Sequence, residues 1–327
     1  MGNGMKTTRI ILIVSFWLTA GQAWSAENWY WKASGQMLLK SYNDSTELND
    51  LSSFGVGLSG DYLERGNFTA AYNFNHSNYK NVGSDVPQEI DESILFLSGR
   101  VNYHPDSLPG RLTLRLDGYY GIDEMQFLIT TSGSPMGGGS SKKTVSLEDK
   151  ILVMNPIVSF LNYAKSFYAD LGVAFSSYRS DVSGTDDIDI VQWTPTIGLG
   201  FNRAYDWLQL RAYLIDLSSS NRVAAKESTS ALEATWTHWF LANAPLNLHS
   251  ARLTIISGER IYAVDSDAYS LANVPDLQTG AISVGAEWKL SEPTSLLLQG
   301  GYETYESLLL NDRYRSAYMF LYLTKNW

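Results

Sequence analysis

Apolar and polar residues alternate with a period of two along most of this chain. The clearest example runs from Arg111 to Asp117, where leucines occupy every second position between arginine, threonine and aspartate. Successive side chains of a β-strand point to opposite faces, so this pattern predicts a strand with one apolar and one polar face. Because charged groups are costly to bury, the polar face must meet a wet interior or a wet exterior.

The same alternation recurs in segments that we interpret as fourteen strands. They lie near residues 29–40, 54–62, 68–75, 93–103, 111–122, 150–163, 167–179, 189–202, 207–217, 230–241, 248–262, 280–290, 295–306 and 313–327. One misread hairpin would give 12 or 16 strands instead. Pro195 lies inside the eighth segment and cannot donate to a ladder, so we expect a β-bulge there.

The connections alternate in length. Those after even-numbered segments are mostly tight turns, and several after odd-numbered segments are longer and polar, such as 79–92, 130–149 and 265–278. The Gly- and Ser-rich stretch at 130–143 is predicted to be the longest and most flexible loop, and it could fold into a barrel interior. An even number of antiparallel strands leaves both chain ends on one side.

The last predicted strand, Arg313–Trp327, is rich in aromatic and aliphatic residues and has no Gly or Pro. An apolar edge strand invites aggregation, and a closed barrel removes the edge by pairing the last strand with the first. A buried edge strand in a soluble β-sandwich is the alternative.

This strand resembles the final strand of Gram-negative outer-membrane β-barrel proteins, which commonly ends on Phe or Trp. The matching face is Ala317, Met319, Leu321, Leu323 and Trp327, and Lys325 departs from the pattern. The resemblance implies an all-β fold, a transmembrane antiparallel up-and-down barrel with short periplasmic turns and longer external loops. It also implies that Trp327 is a signal for the barrel-assembly machinery.

Residues 1–25 are predicted to be a secretory signal peptide, leaving a barrel of residues 26–327. Lys6 and Arg9 precede the apolar run Ile10–Ala20, and small residues follow it, with cleavage expected between Ala23 and Ala26. An uncleaved membrane anchor is the alternative. We therefore expect export to the bacterial outer membrane.

Composition excludes several classes of function. The chain has no cysteine, which rules out disulfides and thiolate sites for metal or haem, and we predict no cofactor. The net charge of −10 disfavours nucleic acid as a partner. The expected partners are outer-membrane lipid and lipopolysaccharide, the assembly machinery and a periplasmic or secretion partner.

Catalysis is not expected. His76-Ser77-Asn78 is similar to the H-x-S-N pattern of outer-membrane lipid hydrolases but is one residue short. Neighbouring residues on a strand point to opposite faces, so His76 and Ser77 could not act together.

The polar faces supply the candidate functional residues, which we expect to line a lumen and set its selectivity. They are Arg100, Arg111, Arg115, Asp117, Asp170, Arg211, Glu233, Arg252, Glu287 and Lys289, with Asp61, Glu303 and Arg315 as further members of the set. Mixed charge of this kind suits a solvated pore that tunes ion passage, and it equally suits a closed interior of ion pairs.

The predicted function is an outer-membrane channel, either porin-like for small hydrophilic solutes or an export pore for a polymer. The alternatives are a closed barrel that acts as a scaffold or adhesin through its loops and, less favoured, a lipid-modifying enzyme. A barrel of about fourteen strands lies between the filled eight-stranded barrels and the open barrels of 16–18 strands.

Overall fold

The computed structural model describes residues 28–63, 65–80, 89–131, 141–181, 185–218, 221–223, 226–241, 244–265, 276–308 and 312–327. The predicted signal peptide and its cleavage site lie outside these residues. No helix in the described part of the chain has the length and hydropathy to cross a bilayer.

The described residues form fourteen strands and three short 3₁₀ turns. The strands are β1 Trp29–Asn43, β2 Leu48–Tyr62, β3 Gly66–Tyr79, β4 Glu89–Tyr103, β5 Gly110–Thr131, β6 Ser141–Asn162, β7 Phe167–Ser180, β8 Ile188–Phe201, β9 Asp206–Leu217, β10 Ser228–Trp239, β11 Leu248–Arg260, β12 Leu277–Ser291, β13 Thr294–Ser307 and β14 Asp312–Asn326. The 3₁₀ turns span Asn202–Ala204, Asn221–Val223 and Pro245–Asn247.

Each strand pairs antiparallel with its neighbours in the chain, and β1 pairs with β14 to close the barrel. Trp31 and Trp327 exchange two backbone hydrogen bonds at this seam, 3.1 and 3.0 Å long. The predicted up-and-down barrel and its fourteen strands are confirmed across the described residues. The sandwich alternative is wrong, because a sandwich keeps open edges.

The outer surface is apolar. Leu114 is 61% exposed and Leu116 48% exposed, and exposed large apolar side chains project outward from strands all around the barrel. A soluble protein rarely leaves so large a continuous apolar surface in water, whereas a barrel in a membrane requires it. We call the end with the short connections, such as 292–293, the turn end, and the opposite end the loop end.

Two local predictions fail. Pro195 pairs with Leu171 in an unbroken β7–β8 register, and β8–β9 keeps its register across the proline, so no bulge forms there. The predicted 130–143 loop is partly strand, because β5 continues to Thr131 and β6 begins at Ser141. Residues 132–140, which we expected to be able to fold inward, lie outside the described residues.

Candidate functional site in the barrel lumen

Strand β11 turns inward at its loop end. Its ladder with β12 is irregular between Ser257 and Arg260, and Gly258 has φ of +107°. A Cβ at Gly258 would lie 2.6 Å from the carbonyl oxygen of Ser230, so only glycine fits this backbone without displacement. The chain that follows, Ile261–Asp265, is buried at Ile261–Val264; we call it the inward segment.

Side chains of four strands hold the inward segment. Gln192 on β8 makes two hydrogen bonds to the backbone of Val264: its Nε2 donates to the carbonyl oxygen at 2.7 Å and its Oε1 accepts from the N–H at 3.0 Å. The rings of Tyr262 and Tyr178 lie 4.8 Å apart. The two hydrogen bonds from Gln192 satisfy the backbone N–H and carbonyl of Val264.

Asp265 completes the attachment. Its backbone carbonyl accepts a hydrogen bond from the Tyr119 hydroxyl at 3.3 Å, and its carboxylate accepts one from Arg211 Nη1 at 3.2 Å. Arg211 also donates to Thr196 and lies 4.0 Å from Glu233. Arg211 therefore joins the inward segment to the wall of the barrel.

The inward segment packs into an apolar cluster that fills part of the lumen, which we call the packed half. Its members are nearly all fully buried and come mainly from the loop-end parts of β4–β9: Ala71, Ile94, Phe96, Tyr119, Ile151, Val153, Ala174, Tyr178, Ile188, Ile190, Tyr213, Ile215, Leu217, Val223, Ala231, Ile256, Ile261, Tyr262, Ala263, Val264 and Leu277. Burying each large member contributes about 1.5–3 kcal/mol. The expectation of a polar interior throughout is therefore wrong for this half.

Beside the packed half lies a cavity of about 1780 Å³, which we call the open path. Its lining reaches Tyr42 and Asp276 at the loop end and Trp207 and Asn326 at the turn end. Between these ends the lining comes largely from β1, β2 and β9–β14. Nine carboxylates and six basic side chains lie along it. Arg252 faces inward and is still exposed, so the lumen is wide at that level.

A second cavity of about 1130 Å³ lies at the turn end and shares Arg211 with the open path. Two of its arginines lie beside carboxylates: Arg100 is 3.1 Å from Asp61, and Arg115 is 2.7 Å from Asp117. Arg100 and Arg115 are direct partners across β4 and β5, where like charges repel. The two aspartates offset that repulsion.

The predicted lumen residues mostly lie on the inward face. Ten of them line the two cavities: Asp61, Arg100, Arg111, Arg115, Asp170, Arg211, Glu233, Arg252, Glu287 and Glu303. Asp117 is fully buried beside Arg115, and Lys289 shares the face of Glu287 but is exposed near the turn end. Arg315 is misplaced in our set, because it is exposed on the outward face with Met319. The role of these residues in selectivity stays a prediction.

Sequence reasoning identified Glu303 as a lumen residue and missed its two partners on the open path, Lys40 and Tyr305. Lys40 Nζ lies 2.6 Å from Glu303 Oε2 and 3.1 Å from the hydroxyl of Tyr305, which itself donates to Glu303 at 2.6 Å. Lys40 was treated as the end of an apolar strand. Its alternation with Met37 and Leu39 could have placed it on the inward face.

Carboxylates also gather at the loop end. Burial raises the pKa of Asp276, although the Tyr314 hydroxyl donates to its carboxylate at 2.6 Å and opposes that rise. Partial burial and the nearby Asp276 and Asp312 raise the pKa of Glu47. Both carboxylates of this rim therefore hold their protons to a higher pH than free carboxylates do.

His76 is held by hydrogen bonds on the side of the strand opposite Ser77. Its Nδ1 lies 2.6 Å from Asp91 and its Nε2 lies 3.1 Å from the side-chain oxygen of Asn78, while Ser77 lines the open path. The geometry gives His76 polar contacts and brings no serine to it.

No family model and no curated protein matches the sequence. Among solved structures, the P. putida toluene transporter TodX is similar at 10% identity and a TM-score of 0.52, covering 92% of this chain and 90% of that chain. A deltaS2 mutant of the TodX monoaromatic hydrocarbon channel gives 12% identity and a TM-score of 0.54 over 92% and 90% of the two chains. A Pseudomonas aeruginosa FadL homologue gives 9% and 0.50 over the same shares.

At these identities the likeness establishes the fold. It agrees with what the coordinates give independently: a sheet with no free edge among the described strands and an apolar outer surface. A sheet of this kind can cross a membrane because every backbone group within it is paired. The chain therefore has the closed antiparallel β-barrel fold of these structures, with an apolar outer surface suited to a membrane.

Proposed function

We propose that this protein is a passive outer-membrane channel for small polar solutes, with a preference for cations over anions. The observation that carries the proposal is the open path, whose lining reaches both ends of the barrel. Its wall offers hydrogen-bonding and charged side chains, such as Thr235, Arg252 and Gln299, to a solute that has lost part of its hydration.

The charge balance supports the cation preference. The excess of carboxylates over basic groups along the open path makes its potential negative, which raises the local concentration of cations. The channels with the same fold are described as carrying hydrocarbons. The fifteen charged side chains along this chain's open path favour hydrophilic solutes instead.

Recording from purified protein in a planar bilayer tests the proposal. We expect discrete conductance steps and, in a salt gradient, a reversal potential displaced toward that of the cation. Thr254→Trp, on the half-buried inward face of the open path, should reduce the conductance. Ile255→Trp, on the exposed outward face of the same strand, is the matched control and should leave it unchanged.

The absence of steps at any voltage would overturn the channel. The second candidate, a closed barrel that binds a partner through its loops, is favoured by the packed half, which already fills part of the lumen. That candidate predicts no conductance in the native protein and none in the two tryptophan variants.

A further inference from the structure

Three consecutive inward positions of β14 carry aromatic rings. Tyr318, Phe320 and Tyr322 are all half-buried and line the open path. The rings of Phe320 and Tyr322 lie 6.2 Å apart with planes inclined by 14°. Leu38 on β1 pairs in register with Phe320, and Leu297 on β13 pairs with Tyr322. We call these five side chains the aromatic strip.

The backbone holds one ring of the strip against the wall. Tyr318 pairs with Gly301, and a Cβ at Gly301 would overlap the Tyr318 ring. The missing side chain therefore lets the ring lie over β13. Its hydroxyl accepts a hydrogen bond from Gln299 at 3.2 Å, which fixes the ring further.

Hydrogen-bonding side chains flank every ring. The register pairs Gln36 with Tyr322, Gln299 with Phe320 and Lys40 with Tyr318. Gln36 and Gln299 are themselves half-buried and line the open path. Along the pore, apolar rings thus run beside amide and charged groups.

This juxtaposition restricts the chemistry of a ligand. A plain hydrocarbon would cover the rings but would also remove water from the flanking amides and Lys40 without replacing their hydrogen bonds, which is costly. A simple ion gains little from Phe320. A chain of sugar rings meets both demands, because each ring has an apolar C–H face and an edge of hydroxyl groups.

We propose that the aromatic strip is a binding site for neutral carbohydrate, in which sugar rings lie against Tyr318, Phe320 and Tyr322 and their hydroxyls bond to Gln36, Gln299 and Lys40. The inference rests on the proposed channel function and names its substrate class. Carbohydrate would pass along the open path by moving from ring to ring.

Calorimetry on the full protein in detergent, with a linear glucose hexamer as the probe, measures the binding directly. Block of ion current by the same probe in a planar bilayer measures it in the pore. A polyethylene glycol of similar mass, which has no ring faces, and toluene are the comparison ligands. We expect the hexamer alone to bind and to reduce the current reversibly.

Phe320→Ala should weaken hexamer binding by roughly three- to tenfold, since one ring contact of this kind is worth about as much as an aromatic pair. Gly301→Val keeps every aromatic residue and displaces Tyr318, so it should weaken binding to a similar extent. Met319→Ala, on the exposed outward face of β14, should change nothing and serves as the control for folding.

The outcomes separate this inference from the channel itself. Four results would overturn the carbohydrate site. They are ion conductance without hexamer binding, binding of polyethylene glycol as tight as that of the hexamer, preferential binding of toluene, and hexamer binding that Phe320→Ala leaves unchanged. Hexamer binding that Phe320→Ala weakens, in a protein without conductance, would support the site and overturn the channel.

Discussion

The two halves of the lumen are built from the same alternating strands but differ in what faces inward. In the packed half, residues such as Ile94, Ile151 and Ile215 are apolar, fully buried and part of the cluster that includes the inward segment. In the open path, the inward positions include Thr, Gln, Lys and Glu beside the aromatic strip, and water has room to enter. The comparison teaches that a barrel of this size can hold a folded core on one side and an open cavity on the other.

Arg211 joins the two halves, and its loss should have the largest effect. Arg211→Leu removes the cation that lies between Asp265 and Glu233 in buried surroundings, and breaking such a pair costs about 3–5 kcal/mol. Urea unfolding of the protein in lipid vesicles measures the change in the free energy of unfolding. Arg252→Leu, at an exposed inward position, is the matched control, and equal losses in both variants would contradict the linking role.

The attachment of the inward segment can be weakened without substituting a charged residue. Gln192→Leu removes two hydrogen bonds to Val264, worth about 2 kcal/mol together, which is roughly a 30-fold shift toward a displaced segment. Planar-bilayer recording should then show longer visits to a higher conductance level.

Gln209→Leu is the control for that experiment, because Gln209 lines the open path and is not among the side chains bonded to the inward segment. The same conductance levels in Gln192→Leu and in the native protein would show that the packed half stays closed without this attachment.

The open path can be altered by one charge. Glu303→Gln keeps the shape of the side chain beside Lys40 and removes one negative charge. The electrostatic energy of a cation in the open path should become less favourable by about 1 kcal/mol, so the preference for cations should fall. The reversal potential in a salt gradient reports the change. Glu306→Gln, where the carboxylate pairs with Arg313 at the exposed rim, should have a smaller effect, and the opposite order would contradict the position of the path.

The smallest effect concerns pH at the loop end, where Asp276 directly precedes β12. Because burial raises its pKa, the folded state holds the proton more tightly than the unfolded chain. The resulting stabilisation is fully present below the ordinary pKa of aspartate and is lost as pH rises through the raised value. Hydrogen exchange at the start of β12 should therefore be faster at pH 7 than at about pH 4, after correction for intrinsic exchange rates.

Asp276→Asn is the control for the pH experiment, because its amide oxygen can still accept the hydrogen bond from Tyr314. The variant should lose this part of the pH dependence. An unchanged dependence would place its origin elsewhere, for example at Glu47.

The sequence predicts the barrel well because lipid imposes a simple rule on every strand. Outward positions must be apolar, so the alternation around Leu112–Leu116 and in β14 is read directly, and the strand count follows. Charged inward positions such as Arg211 and Glu233 are identified by the same alternation.

The division of the lumen into the packed half and the open path is harder to predict, although the sequence carries a signal of it. Runs such as Ile94–Leu97 and Ile151–Met154 are apolar on both faces, which is typical of strands buried on both sides. When these runs are interpreted as simple alternation, they predict only the residues that face lipid. Which connection fills the lumen depends on the backbone of Gly258 and on contacts distant in sequence, such as Gln192 with Val264, and neither follows from periodicity.

Gly258 has a consequence for how the width of such a pore is set. The number of strands fixes the circumference of the barrel. The width of the open lumen also depends on where β11 ends and on the direction that the chain then takes. A substitution at this one position could widen or reshape the passage while leaving all fourteen described strands in place. In this architecture, the width of the lumen can change during evolution without a change in the barrel that encloses it.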